Sequence, residues 1–113
     1  MADCLFCRIA SHQVAAQIVE ETDELAAFRD ITPQAPTHLL IIPKAHLSSV
    51  DEVTEATAPL VAKAIVLAKA LAKREGCSEG YRLVINCGAQ AGQSVGHLHL
   101  HLLGGRPMRW PPG

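Results

Sequence analysis

Residues 97–103 alternate strictly between histidine and leucine, ending on a second leucine. Period-two alternation predicts a β-strand, because successive side chains of a strand point to opposite faces. His97, His99 and His101 would share one face, spaced about 6.6 Å apart, and the leucines would face a core. A solvated amphipathic strand would explain a single histidine. Three histidines on one face favour a site that binds an anion or a metal ion, or a site that uses imidazole as nucleophile, base or acid.

Length and composition predict one small domain spanning residues 1–113. The chain is 49% hydrophobic, which suffices for a core without disulfides. Ten basic and eleven acidic side chains give a net charge of −1 with no run of like charge. This balance argues against a nucleic acid polymer or a membrane surface as partner, and favours a small molecule.

The start of the sequence carries no basic segment followed by an apolar stretch, and no segment approaches the length of a membrane span. We therefore expect a cytoplasmic protein. In a reducing compartment the four cysteines are expected to be thiols or metal ligands rather than disulfides.

The remaining pattern predicts an α+β fold. A short helix is expected over residues 4–10, two strands over 17–21 and 24–28, a buried strand over 38–42, a long helix over 57–75 and strands over 81–86 and 97–103. We expect the long helix to pack on one face of a five-stranded antiparallel sheet.

The loop over residues 86–95 leads directly into the histidine segment. Gly88 and Gly92 could let main-chain amides approach an anion, and phosphate is the natural candidate. Ser94 could donate to a phosphate oxygen or a leaving group, or simply form the turn.

Residues 92–106, GQSVGHLHLHLLGGR, resemble the signature of the histidine triad (HIT) family. Residues 30–38 (DITPQAPTH), 41–46 (IIPKAH) and 108–113 (MRWPPG) resemble its HINT branch, the purine nucleoside phosphoramidases. The resemblance covers nearly the whole chain.

That resemblance implies a homodimer whose two sheets join into ten strands, and a C-terminal arm over residues 104–113. It also implies hydrolysis of purine nucleoside 5′-phosphoramidates, and of acyl or aminoacyl adenylates, to the nucleoside monophosphate. His99 would be the nucleophile and would form a nucleotidyl-histidine intermediate. His101 and the amides near Ser94 and Val95 would hold the phosphate, Ser94 would assist the leaving group, and His97 would complete the triad.

The resemblance also implies a nucleoside pocket. Asp30 would accept hydrogen bonds from the ribose hydroxyls, and Asn86 would bond near the ribose or phosphate. Trp110, on the arm, would reach toward the partner's active site. The remaining substrate-binding residues would be Phe6, Ile9, Phe28, Ile31, Gly92 and Gln93.

Two positions depart from the branch pattern. Arg29 stands where many members carry histidine, and we expect it to change contacts to the base or sugar. Gly96 stands where an aromatic residue is common, which would alter packing there.

A second constellation joins Cys4 and Cys7 of a C-x-x-C segment to His46 and His97. Two thiolates and two imidazoles form a tetrahedral zinc set, and many bacterial members of the family similarly bind structural zinc with these ligands. Without metal, His46 and His97 would instead form a hydrogen-bonded relay that orients His99. The other two histidines, His12 and His38, are expected at the surface and at a strand edge, without a role.

Two other functions stay open. One is hydrolysis of dinucleoside polyphosphates, which the residues after the triad argue against. The other is a zinc-stabilised nucleotide-binding or scaffold dimer with weak catalysis.

Overall fold

A central strand flanked on both faces by apolar side chains organises the fold in the computed structural model, which describes residues 3–113. The regular elements are α1 (Leu5–Ala10), β1 (Ile18–Glu21), β2 (Leu25–Arg29), β3 (Thr37–Pro43), α2 (Ala58–Arg74), β4 (Tyr81–Val84) and β5 (Leu100–Gly104). Two 3₁₀ turns, Val50–Glu52 and Ala89–Ala91, lie in the connections. The predicted α+β class is confirmed.

The five strands form one antiparallel sheet in the order β1-β2-β3-β5-β4. All seven residues of β3 are buried, which explains its continuous rather than alternating apolar run. Its odd-numbered residues Leu39 and Ile41 point to one face, and Leu40 and Ile42 point to the other.

The long helix α2 covers the first of these faces. Pro59 lies in its first turn, where the missing N–H costs nothing, and Gly76, with φ +78°, follows its end. The helix buries Ala64, Ala68, Leu71 and Ala72 against Leu25, Ala27, Leu39, Ile41, Leu100 and Leu102.

The short helix α1 packs on the opposite face. Its residues Phe6 and Ile9 are buried against Phe28, Leu40 and Ile42. The sheet face toward α1 therefore carries the alternate side chains of β3 and β5 that point away from α2. These side chains include histidines.

The histidine segment enters the sheet later than predicted. The ladder of β5 begins at Leu100, so His97 and His99 precede the strand, and Gly104, expected in the arm, is its last residue. Proline explains the late start: continuing the register would place Leu98 opposite Pro43, which has no N–H to donate. The N–H of Leu98 donates instead to the carbonyl of Leu47, at 2.7 Å. Neither helix within residues 3–113 is long and apolar enough to cross a membrane.

Candidate functional site

The three histidines do lie on the face predicted for them. His99 and His101 line the cleft beside α1, and the rings of His97 and His99 both contact Phe6. The intervening residues Leu98, Leu100 and Leu102 are buried, the last two in the α2 core. Alternation therefore holds although part of the segment lies outside the sheet ladder.

A main-chain carbonyl determines the protonation of His99. Its Nδ1 lies 2.7 Å from the carbonyl oxygen of His97. Because a carbonyl can only accept, Nδ1 carries the proton and donates, so the neutral ring keeps a lone pair on Nε2. The ring is 5% exposed and packs edge-on against Phe6, with centroids 5.2 Å apart. His99 is thus a fixed ring with one basic nitrogen available to the cleft.

A second chain of hydrogen bonds determines the protonation of His101. The main-chain N–H of Gln34 donates to Nδ1 of His38, at 3.0 Å, so the proton of neutral His38 is on Nε2. That Nε2–H donates to Nδ1 of His101, at 2.9 Å. The neutral ring of His101 then carries its proton on Nε2, free to donate to a ligand in the cleft.

Both rings of this relay favour the neutral form. Burial lowers the pKa of His38, against a smaller opposing effect of the Asp30 charge. The pKa of His101 is lowered to about 4, mainly by burial and with smaller contributions from the neighbouring His99 and His38, against an opposing effect of the Asp30 charge. Near neutral pH the relay is therefore uncharged, in the protonation state that its hydrogen bonds require.

The prediction for His38 was wrong. It is 6% exposed and belongs to β3, the middle strand, rather than to a strand edge. It shares the cleft face with Leu40, which lies opposite His101 in the register. Its position at an even number in the buried strand was a signal for that face, but only the β3–β5 pairing brings it to His101.

Asp30 lies beside this relay, with Oδ2 3.5 Å from Nε2 of His38 and Oδ1 accepting from the N–H of Thr32, at 2.8 Å. Asp30, His38 and His101 are close enough together to suggest a metal triad. The Gln34 bond argues against that, because it places the proton of His38 on the nitrogen that faces the other two groups. The arrangement fits a hydrogen-bonded relay.

The histidines open onto a cleft of about 540 Å³, within the range of small-molecule sites. Most of its wall is apolar. The predicted residues that the structure brings together here are Phe6, Ile9, Phe28, Asp30, Ile31, Ser94, Val95, His99 and His101. Ile31, at 99% exposure, stands at the rim.

Four of the predicted substrate-binding residues are not among those lining the cleft. Asn86 lies just beyond β4, and Gly92 has a φ of +86° in the following loop. The Gln93 amide accepts from the N–H of Gly88 and donates to the carbonyls of Ser48 and Val95, so it braces the loop. Trp110 is 82% exposed on the C-terminal arm.

The structure shows the surroundings of the two residues that depart from the branch pattern, Arg29 and Gly96. Arg29 borders the cleft, but its guanidinium makes two bonds to Glu75 at the end of α2, at 2.8 and 3.1 Å. Alternation along β2 explains this, since Arg29 shares the α2 face with Leu25 and Ala27. A Cβ at Gly96 would meet no atom within 4 Å.

The structure also brings together the four residues predicted to bind zinc. Cys4, Cys7, His46 and His97 each direct one ligand atom toward a common centre, all within 4.8 Å of one another. Cys4 Sγ lies 3.2 Å and His46 Nδ1 lies 3.1 Å from His97 Nδ1, and Cys7 Sγ lies 3.3 Å from His46 Nδ1.

These distances suit a tetrahedral ion. Bonds of about 2.3 Å to sulfur and 2.0 Å to nitrogen imply tetrahedron edges of roughly 3.3 to 3.8 Å between ligand atoms, the longest between the two sulfurs. Nε2 of His97 donates to the carbonyl of Pro43, at 2.7 Å, which leaves Nδ1 as the metal-facing lone pair. The donor set and the outer hydrogen bond both fit zinc.

Comparison with known proteins gives a consistent result. The sequence matches the HIT domain over residues 11–108. A Brassica juncea protein named 14 kDa zinc-binding protein is 46% identical over 113 residues, covering 98% of this chain and 100% of that protein. An Arabidopsis thaliana protein named adenylylsulfatase HINT1 is 46% identical over 111 residues, covering 96% of this chain and 76% of that protein.

A solved structure supports the same family. The crystal structure of a HIT family hydrolase from Legionella pneumophila Philadelphia 1 is 54% identical, with a TM-score of 0.96, and the match covers 98% of this chain and 100% of that one.

Proposed function

This chain belongs to the HIT domain family, and we propose that it is a nucleotide hydrolase that cleaves at the α-phosphorus. Its substrates are purine nucleoside 5′-phosphoramidates and acyl or aminoacyl adenylates, and its product is the nucleoside monophosphate. The name of the Arabidopsis relative makes adenylyl sulfate a further candidate of the same class. The observation that carries the proposal is the bond from His99 Nδ1 to the His97 carbonyl, which in the neutral ring places the lone pair on Nε2.

His99 begins the reaction. Its Nε2 lone pair attacks phosphorus, forming an N–P bond while the bond from phosphorus to the leaving group breaks. The ring becomes positively charged, and the carbonyl of His97, at 2.7 Å from Nδ1, stabilises that charge. Water then attacks phosphorus, the N–P bond breaks and its electron pair returns to His99, which is neutral again. The nucleoside monophosphate leaves with one proton of the water, and the other replaces the proton that Ser94 gave to the leaving group.

Donors around the phosphate support the same reaction. The relay from Gln34 through His38 leaves the Nε2–H of His101 to donate to a phosphate oxygen. Ser94 and Val95, at the rim, supply main-chain amides, and the Ser94 hydroxyl gives the leaving group its proton. A donor fixed before substrate arrives costs no reorganisation in the transition state.

The apolar part of the cleft holds the nucleoside. Phe6, Ile9 and Phe28 form a wall for the base, with Ile31 at the rim. Asp30 Oδ1 is already bonded to Thr32, which orients the carboxylate, and its remaining lone pairs accept from the ribose hydroxyls. Gln93 braces the loop beside the phosphate, and Gly92 belongs to that loop. Asn86, just beyond β4, bonds near the ribose or phosphate.

We also propose that Cys4, Cys7, His46 and His97 bind a structural zinc ion. Two thiolates and two neutral imidazoles balance its charge, so the phosphate cleft beside it gains no net positive charge. The ligand distances and the name of the Brassica relative support this.

We further propose a homodimer whose sheets join into ten strands. The strand β4 is at the edge of the sheet, and beside it a groove is lined by Val66, Ala70 and Tyr81. Val66 is 68% exposed and Tyr81 is 36% exposed. The arm runs near this edge, because Arg82 donates to the carbonyl of Arg109, and Trp110 would reach the partner's cleft from there.

The test compares three substrates: an adenosine 5′-phosphoramidate, adenylyl sulfate and a diadenosine polyphosphate. We expect AMP from one or both of the first two, and the loss of this activity by about three orders of magnitude or more in His99→Ala. His12→Ala, an exposed histidine outside the cleft, is the matched control. AMP binding without turnover would favour a binding or scaffold protein, and preferred cleavage of the polyphosphate would favour that hydrolase class.

A further inference from the structure

We propose that the four-ligand cluster positions the nucleophile: with a metal bound, it holds the His97 carbonyl and the Phe6 ring against His99. Cys4, Cys7 and His46 are then positioning residues for catalysis as well as ligands that stabilise the fold. This inference rests on the proposed function, which supplies the role of His99.

The first connection runs through His97, which takes part in both sites. Its Nδ1 belongs to the cluster, its Nε2 donates to the carbonyl of Pro43, and its own carbonyl accepts from Nδ1 of His99. The ring is 0% exposed. A shift of this one residue therefore moves the group that selects the tautomer of His99.

The backbone at His97 needs that anchor because the sheet does not supply one. The β3–β5 ladder begins at Leu100, three residues later. The N–H of Leu98 bonds to Leu47, which is itself in a loop. The peptide that carries the orienting carbonyl is thus held by one main-chain bond to a loop and by the side chain of His97, whose Nε2 bonds to Pro43 and whose Nδ1 lies in the cluster.

The second connection runs through Phe6, which lies between the two cysteines in sequence. Its ring is edge-on to His99 at 5.2 Å, to His97 at 5.9 Å and to Phe28 at 5.4 Å. The helix that carries it, α1, has six residues, too few to be stable without tertiary contacts. Anchoring Cys4 and Cys7 therefore fixes the ring that forms one wall of the nucleophile's pocket.

Loss of the metal weakens both connections. Nδ1 of His97 lies 3.1 Å from Nδ1 of His46, and because Nε2 of His97 donates to Pro43, its Nδ1 is a lone pair. One N–H from His46 and weak thiol bonds at 3.2 to 3.5 Å would then replace four coordinate bonds. The start of α1 and the ring of His97 would be free to move together.

The experiment removes metal from wild-type protein with a chelator, then adds zinc back, and repeats the cycle on Cys7→Ser and on Cys87→Ser as the cysteine control outside the cluster. Nitrogen-15 NMR of labelled histidines reads the tautomer of His99, assigned with His99→Ala. Calorimetry measures AMP affinity, and circular dichroism follows the fold.

With zinc, wild type and Cys87→Ser should show His99 as a single tautomer protonated on Nδ1. Metal-free protein that stays folded should show a tautomer mixture and about tenfold weaker AMP binding. Zinc should restore both properties in wild type but not in Cys7→Ser.

An unchanged tautomer and AMP affinity in folded, metal-free protein would overturn the inference. So would global unfolding on chelation, because the cluster would then maintain the fold as a whole. Failure of the proposed function looks different: zinc-loaded wild type would cleave no substrate, while the NMR spectrum would still report whether the cluster controls His99.

Discussion

At the scale of single residues, main-chain groups control the chemistry of the cleft. A carbonyl can only accept and an amide N–H can only donate, so each fixes the proton of the imidazole it touches. The His97 carbonyl leaves His99 with a basic Nε2, and the Gln34 amide, acting through His38, leaves His101 with a donating Nε2–H. In the proposed reaction the two histidines take complementary roles, His99 as nucleophile and His101 as donor.

This relay predicts the behaviour of two substitutions at His38. In His38→Phe, Nδ1 of His101 loses its donor, and we expect kcat to fall about tenfold to a hundredfold with a smaller change in KM. In His38→Gln, the amide N–H can replace Nε2–H, so much of kcat should return. Steady-state kinetics on the phosphoramidate measures both, and equal rates for the two variants would contradict the relay.

Residue-level prediction from sequence reached most of this site. The strict alternation identified the shared face of His99 and His101, and family resemblance pointed to Asp30 and to the apolar residues of the pocket. His38 was missed because its even-numbered position in the buried strand indicates only the face that it shares with Leu40, and not its hydrogen-bonding partner. Its partner lies 63 residues away, and only strand pairing joins them.

At the scale of elements, β5 connects the cleft to the core, and its end is tightly packed. A Cβ on Gly104 would lie 2.6 Å from Sγ of Cys77 and 2.9 Å from its Cβ. Cys77 follows α2 and is 5% exposed, so it has little room to move. The absence of a side chain at Gly104 therefore lets the turn after α2 approach the sheet.

We accordingly expect Gly104→Ala to lower the free energy of unfolding by about 1 to 3 kcal/mol through overpacking. Urea denaturation measures it, with Gly80→Ala, where the new Cβ meets no atom within 4 Å, as control. Adding Cys77→Ala removes the closest clashing atom, so the double variant should lose less stability than the sum of the single variants. Additive losses would show that the contact is not the cause.

At the scale of the whole molecule, the buried relay couples stability to pH. The pKa of His101 falls to about 4 through burial, whereas an unfolded histidine takes up a proton below 6.5. The unfolded chain therefore binds more protons between these values, and the stabilisation, complete above 6.5, is lost as pH falls toward 4.

From this we expect the step from neutral pH to pH 5 to cost up to roughly 2 kcal/mol at this residue. The measurement is urea unfolding of wild type and His101→Asn at both pH values. Protonation of the cluster of Cys4, Cys7, His46 and His97 affects both proteins alike, so the difference in slope reports the relay of His101 with His38. Parallel slopes would contradict the assignment.

The proposed dimer makes a separate prediction for the outer face of α2. Val66→Glu places a charge on the exposed apolar position beside β4 and should convert the dimer to monomer. Analytical ultracentrifugation measures the mass of the particle in solution for wild type and variant. Gln13→Glu, exposed on the α1 side, should leave it unchanged. A monomeric wild type, or a Val66→Glu variant that stays dimeric, would refute this interface.

The sequence alone determined what depends on local geometry: which residues of a strand share a face, where α2 begins and ends, and which side chains bring chemistry. Tertiary structure decided what depends on pairing between distant segments. It brought His38 to His101, turned Arg29 toward α2, and delayed the start of β5 because Pro43 has no N–H. Alternation fixes the face of a side chain, but its hydrogen-bonding partner, and hence its tautomer, exists only once the sheet has formed.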